Sequence, residues 1–333
     1  MRYAIGVDLG GTHIKAALVR DDGHAVKTAR TDTPAAAGPQ AVLDSIAQVI
    51  EQVAQGAPDG EPLAGIGVGC PGSVSLDRTT VRSPPNLPGW KDVVLPDSLR
   101  LRFSEALRQR LARDAPILAE NDANVAALGS AFWGTGQPYD SFIMVTLGTG
   151  VGGAIIHHNR LFRGATGAAG EIGHMSIDYE GPYARSGVAG ALEAYLGHRF
   201  LTRHARYQLL TRPTCLHQTA GTDLEHLDLI SLHRAAMAGD GAAIEIFQWA
   251  GHKLGVALGG IVNLLDIRTF VIGGGVSQAG DVLLDPIRAS IGRFVLPALR
   301  DGITVLREES GNAVAVQGAA RLVFEHAEDA AGA

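Results

Sequence analysis

The sequence Asp8-Leu9-Gly10-Gly11-Thr12 connects an apolar run at residues 3–7 to a second one at residues 14–19. Two strand-like runs joined by a short glycine turn predict a β-hairpin. Paired glycines let backbone N–H groups approach an anion with no Cβ in the way, and the hydroxyl of Thr12 adds a donor. The turn is therefore a candidate phosphate-binding loop, although a lone glycine hairpin is more often only a tight turn.

A second glycine hairpin follows much later in the chain. Residues 142–156 again give a strand, a glycine turn and a strand, and Thr146 stands 138 residues after Asp8 in the aligned turn. A spacing of this size indicates a duplicated domain, because short structural repeats have periods of about 20–50 residues. We therefore expect two lobes, each with a phosphate-binding hairpin. The contacts expected are Gly10, Gly11 and Thr12 in the first turn and Thr146, Gly148, Thr149 and Gly150 in the second.

The composition excludes several other classes of protein. The net charge is -6, with 28 basic and 34 acidic residues and no basic block, so nothing predicts binding to nucleic acid or to an anionic membrane. Cys70 and Cys215 are the only cysteines, which excludes a disulfide framework and fits a reducing cytoplasm. The longest apolar stretch, residues 142–156, is too short and too broken by glycine to span a bilayer. We expect a soluble, cytoplasmic protein.

The remaining pattern predicts an α/β fold. Residues 3–69 read in the order β-β-β-α-β, with the helix at 39–54 and a buried strand at 63–69. Further helices are expected at 123–133, 190–210, 241–265 and about 316–326, with a strand at 269–272. We expect a small α/β lobe of residues 1–119, completed by a C-terminal part at about 305–333, and a large α/β lobe of residues 120–304.

Candidate catalytic chemistry centres on Asp122, which stands where a predicted strand ends and a helix begins. A carboxylate there can orient a hydroxyl nucleophile and take its proton. Asn and Asp are also ordinary helix caps, so we expect Asn121 or Asp122 to cap the helix. Glu171, His174 and Glu193 lie in a glycine-rich segment and suit a polyol, although taken alone they also suit a surface.

Two further features suit a nucleotide. Gly273-Gly274-Gly275 follows an apolar strand and allows close approach of a ligand, which alone is weak evidence. It is no dinucleotide-binding motif, because Gln278 breaks the required glycine register. Asp8 can hold the hydration shell of Mg2+ through water.

Five segments resemble, in order and spacing, motifs of the ROK family, a group of repressors and sugar kinases within the actin-like ATPase class, and the resemblance as a whole spans nearly the entire chain. They are Val7-Asp-Leu-Gly-Gly-Thr12 with Lys15, Gly69-Cys-Pro-Gly72, Pro85-Asn-Leu-Pro-Gly-Trp90, Glu120-Asn-Asp-Ala-Asn124 and Leu147-Gly-Thr-Gly-Val-Gly-Gly153. The resemblance implies a two-lobed actin-like ATPase (ribonuclease H-like) fold. Each lobe would be a mixed β-sheet with flanking helices, and nucleotide and sugar would bind in the cleft between the lobes.

The resemblance also implies a function. The protein would be a kinase that depends on ATP and Mg2+ and phosphorylates the 6-hydroxyl of a hexose, with glucose as the first candidate. Its partners would be the sugar and ATP. It would assemble as a homo-oligomer, either a dimer or a tetramer. Asp122 would be the base and Asn121 its sugar-binding neighbour. The other implied sugar contacts are Asn86, Glu171, His174 and Glu193. On the nucleotide side, Lys15 would join the first phosphate turn, and Gly274 and Gly275 would line the adenosine.

One departure from the family pattern concerns a metal. ROK kinases usually hold a structural zinc with the His that corresponds to His174 and with three cysteines, where this chain has Ala184, Ser186 and Ala191. One remaining ligand cannot hold a tetrahedral site. We therefore expect a loop without zinc, organised by packing and by glycines. Nothing explains Ser130 and Ile267, where the family usually has Glu and Pro.

Other functions remain open at this stage. The substrate could instead be N-acetylmannosamine, N-acetylglucosamine, fructose or allose. Polyphosphate is a less favoured donor, because the segment before Glu171 is rich in Gly and Ala. A sugar-sensing repressor needs a helix-turn-helix domain before the ATPase core, and only two residues precede the first predicted strand. A sensor that has lost catalysis is disfavoured because Asp8, Asp122 and both glycine turns are retained.

Overall fold

The computed structural model describes residues 1–311 and 313–332. The strands are β1 Tyr3–Leu9, β2 His13–Arg20, β3 Ala25–Asp32, β4 Leu63–Cys70, β5 Ser73–Val74, β6 Thr80–Arg82, β7 Asp92–Val94, β8 Ile117–Asn121, β9 Phe142–Leu147, β10 Val151–His157, β11 Arg160–Leu161, β12 Thr269–Gly273 and β13 Thr304–Arg307. The helices are α1 Pro39–Ala54, α2 Leu95–Arg100, α3 Glu105–Arg110, α4 Asp122–Trp133, α5 Glu193–Leu196, α6 His198–Leu209, α7 Leu216–Thr219, α8 Leu229–Met237, α9 Gly241–Leu265, α10 Asp281–Ile291 and α11 Ala313–Gly332.

The chain divides into two compact units. The first comprises Met1–Asp140, Ile155–Ala169 and Glu309–Ala333, and the second comprises Ser141–Ala154 and Gly170–Glu308. The first unit therefore includes α4, which the sequence analysis assigned to the large lobe. The functional lobe boundary between residues 119 and 120 stays a prediction.

The first unit is built on a mixed sheet with the strand order β3-β2-β1-β4-β8. Strands β1, β2 and β3 pair antiparallel, whereas β4 runs parallel to both β1 and β8. A small antiparallel sheet of β5, β6 and β7 accompanies it, and β11 pairs with the end of β10. The predicted opening order β-β-β-α-β is confirmed.

The two faces of this sheet bury different helices because side chains alternate along a strand. Ile5 and Val7 on β1 share a core cluster with Val42 and Ile46 of α1. Ala4, which precedes Ile5 and points to the opposite face, packs in a second cluster with residues of α11. Helix α1, with α2 and α3, therefore packs on one face and α11 on the other.

Two glycines in the central strands allow α11 to lie directly on the sheet. A Cβ on Gly6 would lie 1.8 Å from the carbonyl oxygen of Val316, and one on Gly67 would lie 1.8 Å from that of Ala319. Helix backbone occupies the space that any larger side chain needs. Part of the high glycine content therefore serves helix packing and not ligand binding.

The second unit contains strands in the order β10-β9-β12-β13, with β12 parallel to β9 and β13. Helix α9 begins and ends where the sequence predicted, and it packs along α10. The helix predicted at 190–210 is instead two helices, α5 and α6, separated at Gly197. The last helix, predicted at about 316–326, is longer and spans Ala313–Gly332.

Within the part of the chain that the structure describes, no helix is both long and apolar enough to cross a membrane.

Candidate active site

The first glycine turn is held in shape from behind. The Gly10 amide donates to the His13 carbonyl (3.0 Å), which closes the turn. The hydroxyl of Thr33 donates to the Gly10 carbonyl (2.7 Å), and its amide donates to the Thr12 carbonyl (2.8 Å). Gly11 and Thr12 are exposed. Their backbone therefore forms a fixed, accessible surface of the kind that binds an anion.

Asp8 and Lys15 face each other across β1 and β2, with 3.5 Å between Lys15 Nζ and Asp8 Oδ2. Burial raises the pKa of the Asp8 carboxyl, and the Lys15 ammonium lowers it in part. A desolvated carboxylate beside a phosphate turn gains from a nearby cation. Asp8 therefore fits Mg2+ held through water, and Lys15 fits a phosphate oxygen.

Asn86 is one of the predicted sugar contacts in the first unit. It is exposed, and a Cβ on Gly11 would lie 3.2 Å from the Asn86 Cβ. The structure thus brings Asn86 against the first glycine turn.

Asn121 caps helix α4, as predicted for one member of the pair. Its Oδ1 accepts from the amides of Ala123 (2.9 Å) and Asn124 (3.3 Å), and its Nδ2 donates to the Gly72 carbonyl (3.0 Å). Asp122 is the first helical residue, with an exposed side chain whose Oδ1 accepts from the Ala123 amide (2.8 Å). The partial positive charge of a helix N-terminus stabilises a carboxylate at this position.

Glu120, which the sequence analysis passed over, is buried immediately before this pair. Its Oε1 accepts from the Asn121 amide (2.9 Å) and from Asn124 Nδ2 (3.0 Å). Its Oε2 lies 3.3 Å from Arg78 Nε and 2.7 Å from Arg163 Nε. An acidic residue that ends the apolar run Ile117-Leu-Ala-Glu120 was the available signal, whereas nothing in the sequence marks Arg163. This network fixes the start of α4, where Asp122 lies.

The second glycine turn is held by the segment that carries Glu193. The Gly148 amide donates to the Gly150 carbonyl (2.9 Å), and the Val151 amide donates to Glu193 Oε2 (3.1 Å). A Cβ on Gly150 would lie 2.3 Å from that same oxygen. Glu193 therefore supports the second glycine turn directly. Thr149 is exposed and Thr146 half-buried.

Glu171 directly precedes a single 3-10 turn, Ile172–His174, and His174 is its last residue. Their side chains lie 3.9 Å apart, between His174 Nε2 and Glu171 Oε2, and Glu171 is exposed. The Leu192 amide donates to the Met175 carbonyl (2.9 Å). This hydrogen bond joins the residue before Glu193 to the residue after His174. The predicted sugar contacts Glu171, His174 and Glu193 therefore lie on two adjacent segments.

Gly274 and Gly275 follow β12. A Cβ on Gly274 would lie 2.3 Å from the Leu147 carbonyl oxygen, so this glycine packs against the end of β9, next to the second glycine turn. A Cβ on Gly275 would meet nothing within 4 Å, and the residue is exposed. Gly275 thus offers an open backbone surface to a ligand.

The same fold occurs in a solved structure. The crystal structure of a ROK family glucokinase from Streptomyces griseus in complex with glucose and AMPPNP matches this chain with a TM-score of 0.82 and 32% sequence identity. The match covers 97% of this chain and 99% of that one. The fold is therefore that of the actin-like ATPases, and the predicted α/β fold class is confirmed.

Sequence comparison identifies the family within the actin-like ATPases. The model of the ROK family matches residues 4–326. Glucokinase of Thermotoga maritima is 32% identical over 321 residues, which are 96% of this chain and 97% of that protein. Glucokinase of Streptomyces coelicolor is 33% identical over 330 residues, 98% of each chain. The chain belongs to the ROK family.

Proposed function

We propose that this protein transfers the γ-phosphoryl group of ATP to the 6-hydroxyl of a hexose, with glucose as the first substrate. The relatives similar over nearly the whole chain are glucokinases, and the solved relative binds glucose together with an ATP analogue. The observation that carries the chemistry is Asp122, an exposed carboxylate at the first position of α4.

Asp122 acts as the general base. The 6-hydroxyl oxygen attacks the γ-phosphorus, the bond from that phosphorus to the β,γ-bridging oxygen breaks, and the hydroxyl proton passes to Asp122 as ADP leaves. Glu120 and the Asn121 cap hold the start of α4 in place, so the carboxylate keeps one position while the proton moves.

The two glycine turns bind the phosphates. Backbone N–H groups at Gly11 and Thr12 serve one turn, and those around Thr149 serve the other. Asp8 would hold Mg2+ through water, and the ion would supply positive charge against the charge that develops on the phosphoryl oxygens. Lys15 adds a positive charge beside the same turn.

Each unit carries polar side chains that suit a sugar: Asn86 and Asn121 in the first unit, and Glu171, His174 and Glu193 in the second. Carboxylates and imidazole accept and donate hydrogen bonds to ring hydroxyls. A site that hydrogen-bonds a substrate hydroxyl discriminates strongly against an analogue without that hydroxyl. A hydrophobic pocket discriminates much less between substrates that differ by one methylene.

A coupled assay of ADP release across a hexose panel tests the proposal. Glucose is expected to give the highest kcat/KM, and NMR of the product is expected to show the phosphate on C6. Faster turnover of N-acetylmannosamine, N-acetylglucosamine, fructose or allose would move the assignment to that sugar. Replacing ATP by polyphosphate in the same assay tests the donor, and no turnover with any sugar would favour a sensor without catalysis.

The assembly and the cellular location rest on the family resemblance and the composition alone. A homo-oligomer, a dimer or tetramer, is expected, and light scattering of the purified protein at several concentrations measures it. The cytoplasmic location stays a prediction.

A further inference from the structure

The segment between His174 and Glu193 departs from the family pattern at the metal ligands. Ala184 and Ala191 have only methyl groups, and Ser186 offers a neutral hydroxyl, whereas structural zinc prefers thiolate and imidazole. Nδ1 of His174 lies 3.1 Å from Ser186 Oγ and is therefore already engaged. Among residues 1–311 and 313–332, no group of three or more His, Cys, Asp or Glu side chains is placed to hold a metal. These residues do not fit a zinc ion.

Backbone hydrogen bonds close this segment on itself instead. Amides donate to carbonyls across the loop at 2.9 Å in three pairs: Ile177 to Gly190, Gly190 to Pro182, and Leu192 to Met175. These bonds tie both ends of the loop together without any cross-link from a metal.

The base of the loop is anchored by Asp178. Gly190 has φ +62°, and a Cβ there would lie 1.6 Å from the Asp178 carbonyl oxygen, so only glycine fits. The Asp178 side chain accepts a hydrogen bond from the Tyr195 hydroxyl (2.9 Å). Lys253 Nζ lies 4.4 Å from the centre of the Tyr195 ring, which connects the anchor to α9.

The far end of the loop is joined to His174 by Ser186. Ser186 is an exposed turn residue, and the turn is closed by the Gly187 amide, which donates to the Ala184 carbonyl (3.0 Å). The bond at Nδ1 restrains rotation of the imidazole. It also couples the two ring nitrogens, because a hydrogen bond to one nitrogen determines whether the other donates or accepts. The other nitrogen, Nε2, faces the Glu171 carboxylate.

We infer that Ser186 is a positioning residue for the sugar site: its hydroxyl holds the His174 ring so that Nε2 is presented beside Glu171, and the segment does this without a metal. The inference rests on the proposed sugar-binding role of His174. Ser186 itself touches no substrate.

The kinetic test uses Ser186→Ala, with Ser186→Thr as the conservative variant that keeps the hydroxyl. Loss of one hydrogen bond is expected to raise KM for the preferred hexose about fivefold, while kcat, KM for ATP and the melting temperature stay close to wild type. Ser186→Thr recovers the wild-type KM. Ser176→Ala is the matched control, because it removes an exposed hydroxyl from the same segment. An unchanged hexose KM in Ser186→Ala, or an equal loss in Ser176→Ala, overturns the inference.

The metal test does not depend on activity. Purified protein is expected to contain far less than one zinc per chain, and EDTA is expected to leave amide hydrogen exchange of residues 174–191 unchanged. Ser186→Ala is expected to speed that exchange. Stoichiometric zinc, or exchange that EDTA accelerates, contradicts the account. If the wild type phosphorylates no hexose, the proposed function fails, and glucose binding by calorimetry in Ser186→Ala then decides the inference: weaker binding supports it, and equal or absent binding overturns it.

Discussion

Arg163 Nε lies 2.7 Å from Oε2 of Glu120, whose side chain has no exposed surface. Arg78 Nε approaches the same oxygen at 3.3 Å, so one buried carboxylate faces two guanidinium groups just before Asp122 in the chain. Glu120→Gln would remove the negative charge that both guanidinium groups face, although Arg163 would still donate to the carbonyls of Ser75 and Leu76. We expect the free energy of unfolding in urea to fall by about 3–5 kcal/mol.

Glu61→Gln is the control for that substitution, because Glu61 is exposed in the same unit. It is expected to change stability by less than about 0.5 kcal/mol. A loss below about 1 kcal/mol in Glu120→Gln would show that the network contributes little to the fold.

The contact between α11 and the central sheet predicts a second stability effect. Gly6→Ala places a methyl group 1.8 Å from the Val316 carbonyl oxygen, so strand or helix backbone must move. The cost is expected to be at least about 1–3 kcal/mol by thermal or urea unfolding. Gly241→Ala, at the first position of α9 with nothing within 4 Å of its added Cβ, is expected to be neutral or stabilising. Equal stability of the two variants would contradict the close packing.

The hydrogen bond between the Val151 amide and Glu193 predicts that a change at Glu193 affects the binding of both the sugar and the nucleotide. Glu193→Ala removes the acceptor that holds the second phosphate turn, so KM for ATP is expected to rise about tenfold together with KM for the hexose. Glu171→Ala is expected to raise only the hexose KM. Initial rates at varied ATP measure both, and an unchanged ATP KM in Glu193→Ala would exclude the coupling.

Tyr195 gives the fold a defined alkaline response. Burial, with the Asp178 carboxylate, raises the pKa of Tyr195 from 10.0 to about 12. The folded state therefore binds more protons than the unfolded state between these values. The stabilisation is complete below pH 10 and is lost as the pH rises toward 12.

Tyr195→Phe removes this titrating group. Between pH 10 and 12 the free energy of unfolding of the variant is therefore expected to fall by less than that of wild type, with a difference of up to about 2 kcal/mol. Unfolding free energies at pH 9, 10, 11 and 12 give the comparison. Tyr207→Phe is the control, since Tyr207 is 78% exposed. Parallel pH curves for wild type and Tyr195→Phe would contradict the assigned pKa.

The elements with local signals could be predicted from the sequence. Both glycine hairpins, the bounds of α9 and the cap before α4 depend on neighbouring residues, so periodicity and capping chemistry were sufficient. The break at Gly197 was missed, because the apolar periodicity runs through it. The length of α11 was underestimated because its ends lack a regular apolar pattern.

Contacts between distant residues could not be predicted. Arg163 meets Glu120 across 43 positions of sequence, and Ser186 reaches His174 only because a backbone ladder folds the intervening loop. Glu193 was predicted as a sugar contact, yet its support of the second phosphate turn needed coordinates. Such pairings leave no trace in composition or spacing.

The central claim is that Asp122 activates a sugar hydroxyl for attack on ATP, and Asp122→Asn tests it most directly. The kcat for glucose phosphorylation is expected to fall about 10²- to 10⁴-fold, while glucose binding by calorimetry stays within about threefold of wild type, since the Asn121 cap remains. Asp114→Asn, an exposed aspartate of the same unit, should retain full activity. A near-wild-type kcat in Asp122→Asn would contradict the account.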